Sequence, residues 1–215
     1  MTKKIYESTG MFIDWSQLNN LPKIDTLIDI GVGSEGTPEL YNKFDTQKLI
    51  LVDPLDEAEI YSKLHLKQRD VTFYKVALGN EDEGKGIISV QEELGNSSIL
   101  EVSEINYIDK SLDKRVIKIM KLDTILKDKI ELGRIGIKID VEGFELDVIK
   151  GSSETLKSTK FVIAEVRHNY ESFKGVYKLS EFVSIMHKNN FILTMILTAK
   201  PFIADLCFQP ISDFN

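Results

Sequence analysis

Residues 191–211, FILTMILTAKPFIADLCFQPI, hold two apolar runs, FILTMIL and LCFQPI, with only TAKPFIAD between them. Both runs are short and rich in β-branched, leucine and aromatic residues, as strands are. The connection is too short for a crossover helix, so the two strands are expected to pair antiparallel. The rest of the chain reads differently. Short apolar runs bounded by Gly, Asp and Pro (DTLIDIG, KLILVD, VTFYKVAL, IGIKIDV, KFVIAEV) alternate with helix-like stretches such as EAEIYSKLHLK and LSEFVSIMHKNN. Such runs are the mark of buried parallel strands, and their alternation with helices predicts a parallel sheet covered on both faces. A mostly parallel α/β sheet ending in an antiparallel hairpin follows.

One region breaks the rhythm. Between Gly79 and Met120 the strand-like runs GKGIISVQ and RVIKIMKL flank a polar loop, which predicts an inserted hairpin or flap over about residues 80–120. The expected organisation is one domain over residues 1–215, with an N-terminal extension of about residues 1–23.

Composition narrows the field. The chain is 42% hydrophobic and 28% charged, with 27 basic against 34 acidic residues for a net charge of −7. No basic stripe is present, so a nucleic-acid partner is not expected. No apolar run is long enough to span a bilayer and the N-terminal residues carry no apolar leader, which predicts a cytoplasmic protein. The single cysteine, Cys207, excludes an internal disulfide and multi-cysteine zinc patterns, and its apolar neighbours predict a buried, inert thiol.

The first strand runs into IDIGVGSEGT, residues 28–37, whose glycines Gly31, Gly33 and Gly36 fit G-x-G-x-x-G. Thr37 and Pro38 then suit the N-cap and first position of a helix. In open α/β sheets ligands lie beyond the carboxyl ends of the strands, so this loop is placed in a binding crevice. The pattern serves both nicotinamide dinucleotides and S-adenosylmethionine. Asp29 precedes the loop and Glu35 sits in it. A pyrophosphate favours bare helix amides, whereas a sulfonium and an ammonium attract carboxylates, so the charges favour the methyl donor. Asp53, ending the second strand in LILVDP, suits the ribose hydroxyls of either cofactor. Ala77 and Leu78, ending the third, can flank an adenine, although strand-end apolar residues are usually core.

The most informative segment is IGIKIDVEGFELDVIKG, residues 135–151. It puts Asp140 and Glu142 at the carboxyl end of the fourth strand, where carboxylates are hard to explain by packing alone. Together with LDTIL at 122–126 it resembles the FkbM-type methyltransferases, S-adenosylmethionine-dependent O-methyltransferases. DIGVG, LVDP, VALGN and NSSIL follow that family's order, and the resemblance covers roughly residues 24–170. The chain departs from the family's usual G-A-N-x-G loop and Glu-Pro strand end, with Gly31-Val32-Gly33-Ser34-Glu35 and Asp53-Pro54. The resemblance implies a Rossmann-like class I methyltransferase sheet, with Asp29, Gly31, Gly33, Asp53 and Asp140 lining the cofactor site. It also implies a hydroxyl acceptor on a small molecule, sugar or glycan precursor.

Methyl transfer to a hydroxyl requires alignment and removal of a proton. Asp140, Glu142 and His168, which follows the fifth strand in AEVRHN, are the candidate catalytic groups. Glu165 and Asn169 with Asp140 and Glu142 also compose a hard-cation donor set, so Mg²⁺ enters as an optional second cofactor. Lys138 can touch a ligand or serve a buried ion pair, and Asn96, Ser97 and Ser98 can contact substrate or simply turn the chain. His65 and His187 lie in amphipathic helical stretches and read as structural. The aromatic MFIDW, residues 11–15, suits a lid, a homodimer contact or packing. Two alternatives stand at this level: a nicotinamide-dependent oxidoreductase, and a non-catalytic module that binds S-adenosylmethionine.

Overall fold

The computed structural model describes residues 15–46, 48–67, 69–101, 111–128, 131–168, 173–200 and 202–214. Seven strands form the main sheet: β1 (Thr26–Ile30), β2 (Lys48–Val52), β3 (Val71–Tyr74), β7 (Ile135–Ile139), β8 (Thr159–Arg167), β9 (Phe191–Ala199) and β10 (Ile203–Pro210). Their spatial order is β3-β2-β1-β7-β8-β10-β9. β1, β2, β3, β7 and β8 run parallel, and β10 is antiparallel to both β8 and β9. The closing hairpin therefore inserts its second strand next to β8 and leaves its first at the sheet edge.

Alternation of side chains along the strands builds a core on each face. Ile28, Ile30, Ile137, Ile139, Val162 and Ala164 face one side and pack with Val148 and Ile149 of α4 (Glu145–Lys150) and Phe182 and Met186 of α5 (Leu179–Lys188). Leu27, Leu49, Leu51, Phe161 and Ile163 face the other, against Leu40 and Tyr41 of α1 (Pro38–Lys43) and Ala58 of α2 (Asp56–His65). Cys207 is buried on this second face, and burial raises its thiol to about 12, as an inert thiol requires.

VTFYKVAL does not form one strand. It breaks after Tyr74, where the Val76 N–H donates to the Tyr74 carbonyl at 3.0 Å and Lys75 turns out to pair with Asp56. Its second half is β4 (Ala77–Leu78), in a separate sheet of order β4-β6-β5 with β5 (Gly84–Gln91) and β6 (Ser111–Met120). β5 and β6 are antiparallel, and their sheet stands beside the carboxyl end of the main one. α3 (Leu122–Leu126) returns the chain to β7. No helix among the described residues is long and apolar enough to cross a membrane. Residues 11–14 of the aromatic N-terminal stretch lie outside the described residues.

Candidate active site

Strand order reverses between β1 and β7, and a crevice opens at their carboxyl ends. Gly31 sets its base. Its φ is +85°, and a Cβ there would lie 1.7 Å from the Asp140 carbonyl oxygen, so only glycine lets the two strand ends approach this closely. The Gly31 N–H donates to Val52 and the Asp140 N–H to Ile30, both at 2.9 Å, so the loop is sewn to its neighbouring strands.

Asp53 organises the loop. Its Oδ2 accepts the Val32 and Gly33 N–H groups at 2.9 Å each, and its Oδ1 accepts the Leu55 N–H at 2.8 Å. Burial pushes its carboxyl up to about 6 in spite of these three donors.

The crevice holds a cavity of about 610 Å³. Gly31, Gly33, Glu35, Asp53, Ala77, Leu78, Asp140 and Glu142 all border it, as do Pro54, Leu55, Ile88, Lys138 and Phe144. The turn after β5, Glu93 to Ser97, contributes Glu93, Leu94, Gly95 and Ser97 to its wall. Gly95 approaches Gly33 closely enough that a Cβ on Gly33 would meet it at 3.8 Å.

Two of the expected residues stand elsewhere. Asp29 is fully buried beneath the loop and does not border the cavity. Its Oδ2 accepts hydroxyl protons from Tyr41 and from Thr37, the latter at 3.2 Å. Thr37 does occupy the N-cap of α1, but its side chain serves Asp29 and makes no cap bond. Asp29 Oδ1 has no hydrogen-bond partner and lies 3.7 Å from Lys138 Nζ. Burial raises the Asp29 carboxyl, opposed chiefly by Lys138. His168 is exposed, outside the cavity wall, with Nε2 2.8 Å from the Lys200 carbonyl oxygen.

Lys138 answers the question its position raised: it is a buried cation between two carboxylates. It stands beside Asp29 in register and reaches Asp140 at 3.1 Å. Burial opposes its charge, but Asp140 and Asp29 hold it above the ordinary lysine range. Glu142 takes a left-handed φ of +56°. Its carboxylate pairs with Arg167, whose guanidinium lies 4.6 Å from the Phe173 ring centroid. The turn is fixed from below by Glu145, which accepts the Val141 and Gly143 N–H groups at 3.2 and 2.9 Å and the Tyr177 hydroxyl at 2.8 Å. It is fixed from the side by Ser98, whose hydroxyl donates to the Glu142 carbonyl at 2.7 Å. Ser97 accepts the Gln91 N–H at 3.1 Å and Asn96 donates to Glu93 at 3.1 Å, so the NSSIL serines and asparagine hold the flap together.

Arg167 and Glu145 escape sequence reasoning because their partners are distant in the chain. The Lys138–Asp29 pair follows from the parallel register of β1 and β7, which the sequence does not state.

Carboxylate oxygens of Asp140, Glu142 and Glu165 come within 4.8 Å of one another. The set does not fit Mg²⁺. Asp140 and Glu142 each pair with a fixed cation, Lys138 and Arg167, and a divalent ion would stand beside both. Asn169 lies outside the described residues.

A glycine loop at the β1–β7 switch point, a strand-end aspartate and a closing antiparallel hairpin define a class I S-adenosylmethionine-dependent methyltransferase. The sequence model of the methyltransferase FkbM domain matches residues 29–193, and the chain belongs to that family. No protein of curated function matches it in sequence. Among solved structures it is similar to a presumptive S-adenosylmethionine-dependent methyltransferase from Listeria monocytogenes, at 9% identity and a TM-score of 0.51 over 91% of this chain and 97% of that one. It is also similar to the ribosomal protein L11 methylase of Lactobacillus delbrueckii subsp. bulgaricus (14% identity, TM-score 0.46, 90% and 74% covered). A third is magnesium protoporphyrin IX methyltransferase from Synechocystis PCC 6803, solved with bound S-adenosylmethionine (11% identity, TM-score 0.46, 91% and 74% covered). At 9% identity the likeness to the Listeria protein is one of fold.

Proposed function

We propose that the chain methylates a hydroxyl of a small molecule, sugar or glycan precursor, with S-adenosylmethionine held in the crevice cavity. The observation that carries this is the cavity's composition: apolar at the Ala77–Leu78 end, and bordered by Asp140 and Glu142 where β7 ends. Apolar walls suit an adenine, and carboxylates suit both a sulfonium–ammonium pair and the proton of a hydroxyl acceptor. The residues present fit the cofactor. Ala77, Leu78 and Leu55 would flank its adenine, Asp53 its ribose, and the Gly31–Gly33 loop with Glu35 and Asp140 its amino-acid end. Bound there, it supplies an electrophilic methyl group.

Asp53 already accepts three backbone N–H groups. A carboxylate offers about four acceptor positions. It can therefore take one ribose hydroxyl without disturbing the loop, and a second by releasing a loop amide. Asp140 and Glu142 face the acceptor, held in place by Lys138 and Arg167. No step is assigned to His168, which stands outside the wall.

Thermal unfolding in EDTA with S-adenosylmethionine, S-adenosylhomocysteine or NAD⁺ tests the cofactor half. A ligand at about 100 times its Kd adds about 2.7 kcal/mol to the folded state. The midpoint is expected to rise by roughly 5–10 °C with both sulfur nucleosides and to stay put with NAD⁺. Stabilisation by NAD⁺ alone, or only after magnesium is restored, contradicts the proposal.

A further inference from the structure

The flap is pinned on both sides of the crevice. On one flank the Arg115 guanidinium of β6 donates to both carboxylate oxygens of Glu57, at 2.8 and 3.0 Å. Glu57 lies in the first turn of α2, just beyond the end of β2. On the other flank Ser98 donates to the Glu142 carbonyl, beyond the end of β7. β2 and β7 are the two neighbours of β1 in the sheet. The two pins therefore straddle the glycine loop that follows β1, and the flap turn brings Gly95 up to Gly33.

The two faces of the flap differ. Side chains alternate along β5 and β6, so Ile87 and Val116, which pair in register, point outward and are 56% and 75% exposed. Ile88, Val90 and Ile117 point inward and form one buried apolar cluster with Leu55 and Ala77. After β5 the chain folds back, and Ser89 and Ser98 exchange backbone hydrogen bonds at 2.9 and 3.3 Å. Leu94 and Ile99, on either side of that return, pack on the same cluster. Both stay only partly buried, and both border the cavity. Partly buried aliphatic side chains at the apolar end of a cavity offer surface that a flat aromatic base covers favourably.

We infer that the flap is the roof of the cofactor site, and that its inner face, through Leu94 with Ile88 and Ile99, supplies the flap-side wall of the adenine pocket. This rests on the cofactor reading above and extends it: part of the adenine site then comes from the small sheet, and part from Leu55, Ala77 and Leu78. A nucleoside bound there touches both the flap and the strand ends of the main sheet. It therefore joins them, and the flap gains order when the nucleoside binds. The pairs Arg115–Glu57 and Ser98–Glu142 hold the roof in register over the loop, and Leu94 makes the contact with the base.

Leu94→Ala tests the roof, with Val116→Ser on the outer face of the same flap as its control. Calorimetric titrations use S-adenosylhomocysteine and adenosine as probes. In Leu94→Ala both affinities are expected to fall together by about 10-fold, because the lost contact is with the base that the two probes share. In Val116→Ser both stay within about twofold of the unaltered chain. Equal affinities for Leu94→Ala and the unaltered chain overturn the roof alone, as does a loss for S-adenosylhomocysteine with adenosine unaffected. An equal loss in Val116→Ser overturns it too, since the flap would then act only through its general stability. No binding of either probe to the unaltered chain overturns the cofactor reading, and the roof with it. Amide exchange of the unaltered chain needs no variant: S-adenosylhomocysteine should slow exchange in β5 and in residues 94–98 as well as in the Gly31–Gly33 loop. Protection confined to the main sheet and its loop rejects the proposal.

Discussion

At the scale of single residues, Asp53 carries the sharpest consequence. Its carboxylate sits under the glycine loop, almost fully buried, with a pKa raised to about 6. In Asp53→Asn the single amide oxygen cannot serve three N–H groups and a ribose hydroxyl together. Charge-assisted hydrogen bonds contribute roughly 1.5–3 kcal/mol, so affinity for S-adenosylhomocysteine is expected to fall about 10- to 100-fold at pH 8. The unaltered chain should lose affinity as pH drops through about 6, where Asp53 takes a proton, while the variant shows no such step. Calorimetric titration at pH 5 and pH 8 measures both, and equal affinities for the two proteins would remove Asp53 from the ribose. Its place in the crevice was readable from sequence, because LILVDP puts it at the carboxyl end of the second strand. Asp29 was only half readable. Its place before Gly31 marked it, but its burial under Tyr41 and Thr37 depends on how α1 folds back, which spacing does not reveal.

At the scale of elements, the Ser98 side chain joins the flap to the site. Ser98, 3% exposed, ties the turn after β5 to the Glu142 carbonyl and accepts the Leu100 N–H at 3.0 Å. Ser98→Ala leaves that carbonyl and that N–H without their partner. Loss of a buried partner costs about 1–3 kcal/mol. Urea unfolding should show that loss, and amide exchange should quicken in β5 while β7 and β8 keep their protection. Uniform loosening of the main sheet instead would mean that Ser98 supports the whole fold. The succession of the main strands along the chain was legible because each buried strand is a short apolar run. The closing hairpin was legible because eight residues cannot hold a crossover. The split between β3 and β4 was not, since VTFYKVAL has no Gly or Pro to mark it; Lys75 breaks the strand by leaving it for Asp56. The Arg167–Glu142 and Tyr177–Glu145 pairs were hidden for a related reason: each joins residues 25 or more positions apart, brought together by β8 and the loop after it.

At the scale of the whole molecule, the site is assembled at a cost in stability that pH exposes. Asp53, Glu145 and Glu165 are raised to about 6, 7 and 8, chiefly by burial, and Asp29 and Asp205 are raised as well. Each binds its proton more tightly folded than unfolded, so each favours the folded state at low pH and loses that advantage as pH rises through its folded value. The opposite group is smaller and lies at the surface. Arg134 holds Asp25 down to about 2, while Lys75 and Arg115 lower Asp56 and Glu57, and their help is lost as pH falls below the ordinary carboxylate range. The net charge of −7 acts in the same direction as the buried acids, since protons relieve its self-repulsion. Stability of the free chain should therefore peak near about pH 5 and decline toward pH 8. The urea midpoint should be higher at pH 5 by about 1 M, equivalent to roughly 2–3 kcal/mol for a domain of this size. A midpoint that climbs steadily from pH 5 to 8 would show that the buried carboxyls keep ordinary affinities. Asp53→Asn should flatten part of the slope between pH 4 and 6 and leave the part above 6, because Glu145 and Glu165 still titrate there.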